Sequence, residues 1–185
     1  MLDIIKGIFG KSNCQEKFDN SLQEGKKEML DMSEMINRLI LHEELRLKPY
    51  KDTKGKLTIG IGRCIDTNPF TCEELKAVGD WKNGITRNAA FMLCRNDINK
   101  SITNLRKRIS FFDRLDKERQ YALIDMCYQM GIEGLCQFKK MIAAMGTGNY
   151  KEASEHCLDS KYAKQDAPTR AKRIAKLIET GRFIV

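Results

Sequence analysis

The sequence predicts an α+β fold that is mostly α, in which a small N-terminal lobe with a β-hairpin is joined by a long helix to an all-α C-terminal lobe. Three observations predict it. Apolar and polar residues alternate with a period of two between residues 56 and 62, apolar residues recur at spacings of three and four between residues 86 and 109, and helical patterns fill the chain from residue 116 onward. Alternation is typical of half-buried strands and the longer spacing of helices, so strands are expected in the N-terminal part.

The chain divides into an N-terminal extension, residues 1–32, and a body, residues 33–185. The body would place its lobes at about 33–86 and 110–185, with the linking helix at about 87–109. The extension opens with an amphipathic pattern from Leu2 to Phe9, typical of a short helix with one apolar face. We expect this helix to dock on the body; the alternative is weak contact with a membrane surface through residues 2–9.

Boundary residues predict where the helices of the body begin and end. Ser33 is expected to cap the first helix, and Thr86 is expected to cap the long one. Between them, the turn-like residues 52–55 would join the strands of the hairpin, with Pro49 at its edge. The last helix is expected to begin near Pro168 and to end at Gly181.

The charge balance narrows the class of partner. The chain carries 33 Lys and Arg residues against 25 Asp and Glu residues, a formal net charge of +8. Such a surface attracts polyanions: nucleic acid, anionic lipid or the acidic polymers of a bacterial envelope. Because no helix-turn-helix, zinc-finger or RNP-like pattern accompanies the basic residues, no nucleic-acid partner is expected.

Cysteine and histidine usage bears on cofactors and compartment. The chain has seven Cys and two His, without a CxxC pair, which argues against a complete disulfide framework and a zinc site. We therefore expect free thiols, no cofactor, and a buried structural role for Cys127. Since there is neither an apolar run of 18 residues nor a signal peptide, the chain is expected to be made in the cytoplasm and to stay soluble.

Two carboxylates and a hydroxyl follow one another closely where the first helix passes into the hairpin. Glu43 is followed after eight residues by Asp52 and after five more by Thr58. Glycoside hydrolysis needs such a set, because one carboxylic acid donates a proton to the leaving oxygen while a second group positions water on the opposite face of the sugar. With 25 acidic residues in the chain, the spacing by itself is a weak indicator.

The whole run from Leu41 to Gly62 is far more specific. It closely resembles the N-terminal lobe of the T-even phage lysozymes, whose pattern is Glu, eight residues, Asp, five residues and Thr, ahead of Gly-Ile-Gly. Residues 122–131 resemble the central helix of that family, and residues 168–173 its late basic helix. The resemblance covers about residues 33–183, and it implies a lysozyme-like fold.

The resemblance also implies a function. Members of this family are inverting muramidases that cut peptidoglycan glycan strands between N-acetylmuramic acid and N-acetylglucosamine, without metal or cofactor. Carried over by position, Glu43 is the general acid, and Asp52 with Thr58 holds the attacking water. We accordingly expect a monomeric endolysin that lyses bacteria, residing in the host cytoplasm and acting on the cell wall after release by another factor.

Five further residues fall where the family lines its sugar subsites: Cys64, Tyr128, Gln129, Met141 and His156. Cys64, Met141 and His156 depart from the residue types expected there, and Tyr128 has two interpretations, stacking on a sugar or packing in the core. Arg63 stands where the T-even enzyme has His, and Asp97 where the carboxylate partner of that His would be. These two are expected to form a partly exposed salt bridge contributing about 1 kcal/mol or less.

Two other functions stay open at this level. A lytic transglycosylase would use the acid but leave an anhydro sugar, and it needs no activated water. A lysozyme-like module for wall binding or secretion would have little activity, and the intact set of Glu43, Asp52 and Thr58 argues against it.

Overall fold

The computed structural model describes residues 29–183, which form a helical body with one small sheet. The early elements are helix α1 (Met32–Glu43), strands β1 (Arg46–Lys51), β2 (Leu57–Gly60) and β3 (Arg63–Cys64), and helix α2 (Cys72–Val78). Then come α3 (Arg87–Arg108), α4 (Lys117–Leu135), α5 (Lys139–Gly146), α6 (Tyr150–Leu158) and α7 (Pro168–Thr180), with short 3-10 turns at Trp81–Asn83 and Phe112–Arg114 and a π-helix at Tyr162–Asp166. The predicted fold class, α+β and mostly α with strands in the N-terminal part, is confirmed.

Helix α1 is capped by Asp31, so the prediction of Ser33 as its cap was wrong. Asp31 Oδ1 accepts hydrogen bonds from the backbone N–H groups of Ser33, at 2.8 Å, and Glu34, at 3.3 Å. The helix begins two residues earlier than expected, and Ser33 lies inside its first turn. A charged carboxylate in extended backbone satisfies the free N–H groups of a helix start and favours its positive end.

The predicted hairpin is part of a three-stranded antiparallel sheet in the order β1-β2-β3. Pro49 lies within β1, which is an edge strand, and the register of the β1–β2 pair shifts between Arg46 and Tyr50. Proline lacks a backbone donor, so it is tolerated at a sheet edge beside such an irregularity. The two-residue strand β3 was not predicted, because it is too short to show alternation.

The long helix α3 begins where predicted. Thr86 precedes it in extended backbone, and its hydroxyl accepts the N–H of Ala89 at 3.1 Å. Helix α4 breaks at Gly131, whose φ of 72° is outside the helical range, as the sequence pattern indicated. Helix α2 was not anticipated, although Thr71 and Glu74 form a complete capping box at its start.

Two clusters of buried apolar side chains hold the body together. The smaller one joins β2 to the start of α3 around Ile59, Ala90 and Leu93. The larger one lies among the C-terminal helices, and it also contains Met35 and Leu39 of α1. Helix α1 therefore packs with the C-terminal helices, although it precedes the sheet in the chain. The lobe boundaries themselves stay a prediction.

The C-terminal helices follow their predicted limits closely. Helix α7 begins at Pro168 and is followed by Gly181 in the left-handed conformation, with φ of 62°. Cys127 is buried in the larger cluster, as expected for a structural cysteine. The amphipathic start at residues 2–9 and nearly all of the extension lie outside the described residues. Within residues 29–183, no helix combines the length and apolar character that crossing a membrane requires.

Candidate active site

A cleft of about 1310 Å³ runs between the sheet and the C-terminal helices. One wall comes from the residues around β3 and the middle of α3, and the other from the end of α4, the start of α5 and the chain between α6 and α7. This volume exceeds the roughly 300–1,000 Å³ that is usual for small-molecule pockets. All five predicted subsite residues line this one cleft: Cys64, Tyr128, Gln129, Met141 and His156.

Glu43 is the last residue of α1, and its carboxyl group is held on two sides. The guanidinium of Arg170, from α7, donates to Oε1. On the other side lies Gly62, which lines the cleft; a Cβ atom at position 62 would approach Oε2 of Glu43 to 2.7 Å. The side chain as a whole keeps 21% of its surface exposed, and Arg170 and Gly62 fix the position of its carboxyl group.

Asp52 follows β1 directly and organises the tight turn to β2. Its Oδ1 accepts the N–H groups of Lys54 and Lys56, both at 2.8 Å, and its own N–H donates to the carbonyl oxygen of Lys56 at 2.9 Å. Within the described chain both of these bonds go to Oδ1, so Oδ2 keeps its lone pairs for another donor. Lys54 and Lys56 line the cleft, which places the turn at its mouth.

Thr58 lies on the central strand of the sheet, opposite Tyr50 of β1 and Cys64 of β3. Residues directly opposite one another in an antiparallel pair point to the same face, so Thr58 shares its face with the cleft residue Cys64. The side chain of Thr58 is buried, and its hydroxyl donates to the carbonyl oxygen of Lys56 at 3.2 Å.

The remaining subsite candidates differ in how much surface they offer. Gln129 is exposed, and its Oε1 accepts the hydroxyl of Tyr162 at 2.9 Å. His156 is partly exposed beside Glu152, at 3.4 Å. Met141 is only 1% exposed and belongs to the larger core cluster, so it supports the wall of the cleft more than it offers a binding surface.

Tyr128 combines the two interpretations left open by the sequence. Its ring packs on the larger cluster, and its hydroxyl donates to the carbonyl oxygen of Ile61 at the end of the sheet. Burial holds the pKa of Tyr128 well above its ordinary value, so the hydroxyl stays protonated and can keep donating. The residue thus fastens α4 to the sheet and presents one part to the cleft.

The predicted salt bridge between Arg63 and Asp97 is present, with Nη1 and Oδ1 at 2.9 Å, and the expected partial exposure applies only to Asp97, whose side chain is 13% exposed. The Arg63 side chain is 3% exposed and also binds Glu74 of α2, with Nη2 and Oε2 at 2.7 Å. Burial by itself would raise the pKa of Glu74, but hydrogen bonds from Arg63, Asn96 and the Thr71 N–H lower it to about 2. For Asp97, burial outweighs Arg63, and the pKa is raised.

Sequence reasoning missed three residues that define the surroundings of Glu43: Gly62, Asp125 and Arg170. Gly62 had a usable signal, since it belongs to the Gly-Ile-Gly segment. Arg170 lies 127 positions from Glu43, and it is one of seven basic residues after residue 160. Its position four and eight residues before Ile174 and Ile178 places it on the buried face of α7, a signal that the sequence analysis did not use.

Charge along the cleft is unevenly distributed. Six lysines line it, and among them Lys100 donates to Oδ1 of Asn68 at 2.9 Å. Of the three aspartates in the lining, Asp97 binds Arg63 and Asp159 binds Lys164 at 2.5 Å. The cleft is therefore suited to a substrate with anionic groups. In residues 29–183, no group of three or more His, Cys, Asp and Glu side chains is placed to hold a metal ion.

Comparisons with known proteins agree with this arrangement. The profile described as phage lysozyme matches residues 41–178. The pre-baseplate central spike protein Gp5 of Enterobacteria phage T4 is 33% identical over 167 residues, which cover 83% of this chain and 28% of that protein. Two proteins of Dictyostelium discoideum, probable T4-type lysozymes 1 and 2, are 30% and 28% identical over 164 residues, covering 81% of this chain and 96% of each.

The fold, the cleft and these comparisons define the class of a lysozyme-type glycoside hydrolase. The chain belongs to the phage lysozyme family, whose profile covers more than half of its length. It spans about a quarter of the length of the phage spike protein and nearly all of the length of the two Dictyostelium proteins.

Proposed function

We propose that this protein hydrolyses the glycan strands of bacterial peptidoglycan between N-acetylmuramic acid and N-acetylglucosamine. The observation that supports it most directly is the carboxyl group of Glu43, held between Arg170 and Gly62 beside the cleft. Such a fixed carboxyl group, on a partly exposed side chain, meets the first requirement for a general acid, which must lie within reach of the glycosidic oxygen.

In the proposed reaction, Glu43 donates its proton to the leaving oxygen. The guanidinium of Arg170 can only donate hydrogen bonds, so the proton belongs on Oε2, the oxygen that lies against the cleft residue Gly62. When the proton has left, Arg170 stabilises the carboxylate that remains.

Asp52 and Thr58 would position the attacking water. Asp52 Oδ1 is occupied by two backbone N–H groups, which fixes the carboxylate and leaves Oδ2 to accept a proton from water. Thr58 donates its hydrogen to Lys56, so its oxygen can accept one as well. If the reaction inverts the configuration at the anomeric carbon, the carboxyl groups of Glu43 and Asp52 should lie roughly 6.5 to 9.5 Å apart in the complex with substrate, to leave room for the water.

Purified peptidoglycan provides the test, with turbidity loss and mass analysis of the released fragments. The wild-type protein should release muropeptides with reducing ends, and Glu43→Gln should lower the rate by about 10²-fold or more, since an amide cannot donate the proton. Anhydro ends would instead identify a transglycosylase. Wild-type protein that binds walls without releasing fragments would identify a module with little activity and would overturn the proposal.

Glu44→Gln is the matched control. Glu44 is the next residue, and its carboxylate binds Arg46 on the surface, with 71% of the side chain exposed. This variant should keep the wild-type rate. Proton NMR of the first product would then show whether the anomeric configuration is inverted.

We further propose that the protein is a monomeric endolysin that reaches the wall from the host cytoplasm after another factor opens the membrane. The basic net charge of +8 supports the approach to an anionic envelope. Expression in bacteria with and without a pore-forming helper tests it: lysis only with the helper is expected, and lysis without one would contradict it.

A further inference from the structure

Two carboxylates share the guanidinium of Arg170. Its Nη1 donates to Oε1 of Glu43, and its Nε donates to Oδ1 of Asp125 at 2.7 Å. The three side chains come from three different helices: Glu43 from α1, Asp125 from α4 and Arg170 from α7. Asp125 thus reaches the proposed acid through one intermediate side chain.

Arg170 and Asp125 are both buried, with each side chain 7% exposed. A buried guanidinium needs a counter-charge, because water cannot compensate it there. Glu43 and Asp125 can both supply one. A general acid is neutral before it donates its proton, so in the reactive state Asp125 is the carboxylate that balances Arg170.

Arg173 is a charged neighbour of this trio, lying in the same pocket as His42 and Asp125. The other titratable groups with electrostatic contacts to Glu43 or Asp125 are neutral near pH 7. His42 Nε2 lies 3.8 Å from Oδ2 of Asp125. Burial lowers the pKa of His42, and Arg170 and Arg173 lower it further against the opposing effect of Asp125. Burial also raises the pKa values of the groups facing Glu43 from the sheet, α3, α4 and the π-helix, which are Tyr50, Cys94, Tyr128 and Tyr162.

We propose that Asp125 is a positioning residue for the catalytic acid, which holds Arg170 in place and balances its charge while Glu43 carries the proton. This inference rests on the proposed role of Glu43. Without the charge of Asp125, Arg170 would depend on Glu43 alone for compensation. The ionised form of Glu43, which cannot act as an acid, would then be favoured.

Asp125→Asn tests the charge while keeping an oxygen that can accept from Arg170 Nε. In the pH profile of kcat, the alkaline limb is where Glu43 loses its proton, and this limb should move to lower pH by about one unit. As a result, kcat at neutral pH should fall about tenfold while KM changes little. A residue that only stabilised the fold would lower the melting temperature and leave the limb in place.

Glu118→Gln is the matched control on the same helix. Glu118 binds Arg38 at 2.7 Å, an ion pair of the same kind whose arginine also contacts Glu34. It should lower the melting temperature without moving the alkaline limb. An Asp125→Asn profile that coincides with that of Glu118→Gln would overturn the inference.

Asp125→Glu is a second test if Asp125→Asn does not fold. This variant keeps the negative charge, so the alkaline limb should stay at its wild-type position. A shift of about one pH unit, as expected for Asp125→Asn, would also overturn the inference. Glu43→Gln, measured in parallel, separates the two proposals. Full activity of Glu43→Gln would refute the proposed function, whereas an inactive Glu43→Gln with an unmoved limb in Asp125→Asn would refute only the role of Asp125.

Discussion

Gly62 lies directly against the carboxyl group of Glu43: a Cβ atom at position 62 would be 2.7 Å from Oε2. The backbone at Gly62 has φ of 72°, which L side chains rarely adopt. Because residue 62 has no side chain, the backbone can adopt the turn after β2, and the carboxyl group of the proposed acid can lie against it.

We expect Gly62→Ala to lower the rate of wall hydrolysis by about tenfold or more, because a displacement of the acid by about 1 Å can cost that much or more. The measurement is turnover on purified peptidoglycan beside thermal unfolding. Gly148→Ala is the control, since Gly148 has φ of 78° and nothing within 4 Å of its Cβ position. It carries similar backbone strain, so equal activity loss in the two variants would contradict the argument.

Asp52→Asn should nearly abolish hydrolysis while the turn stays intact. Asparagine Oδ1 can still accept the N–H groups of Lys54 and Lys56, but the negative charge that activates water is lost, at a cost of about 10²-fold or more in kcat. Asp66→Asn is the matched control, because Asp66 Oδ2 accepts the N–H of Leu57 at 2.9 Å in the same sheet. If both variants lost activity alike, a disturbance of the sheet and not the charge on Asp52 would be responsible.

Glu74 should make the fold sensitive to acid. Its pKa is lowered from 4.5 to about 2, so its contribution to the free energy of unfolding is present above pH 4.5 and is lost as the pH falls toward 2. That shift corresponds to about 3 kcal/mol. Asp97 acts with the opposite sign, because its pKa is raised.

Denaturant unfolding between pH 2 and 7 checks this expectation. Glu74→Gln should be less stable than the wild type at pH 7, and the difference should shrink as the pH approaches 2. A difference that is the same at every pH would show that the charge of Glu74 is not the cause.

Removal of Arg63 should be far more damaging than removal of a surface arginine. Arg63→Gln leaves Glu74 and Asp97 without their shared counter-charge, and breaking a buried ion pair in this way costs about 3–5 kcal/mol. Arg106→Gln is the comparison, since the Arg106 side chain is 56% exposed beside Asp113 and exposed pairs contribute little. Similar free energies of unfolding for the two variants would contradict the importance of burial.

Local sequence patterns located most elements of the body. Thr86 capped the long helix, residue 131 interrupted α4, and α7 ran from Pro168 to Gly181, because caps, breaks and periodicity depend on neighbours within a few positions. Ser33 was wrong as a cap because Asp31, two positions away, provides the stronger acceptor. Helix α2 and strand β3 are too short to produce a clear period.

The sequence alone also determined the candidate chemistry, since the spacing of Glu43, Asp52 and Thr58 and the family resemblance can be read along one short run. Only the tertiary structure decided what surrounds these residues. Arg170 meets Glu43 across 127 positions, and Arg63 joins Glu74 and Asp97 from two other helices. Such contacts arise when separate elements pack their apolar faces together, and a charged side chain carries no local signal of the partner that packing will bring to it.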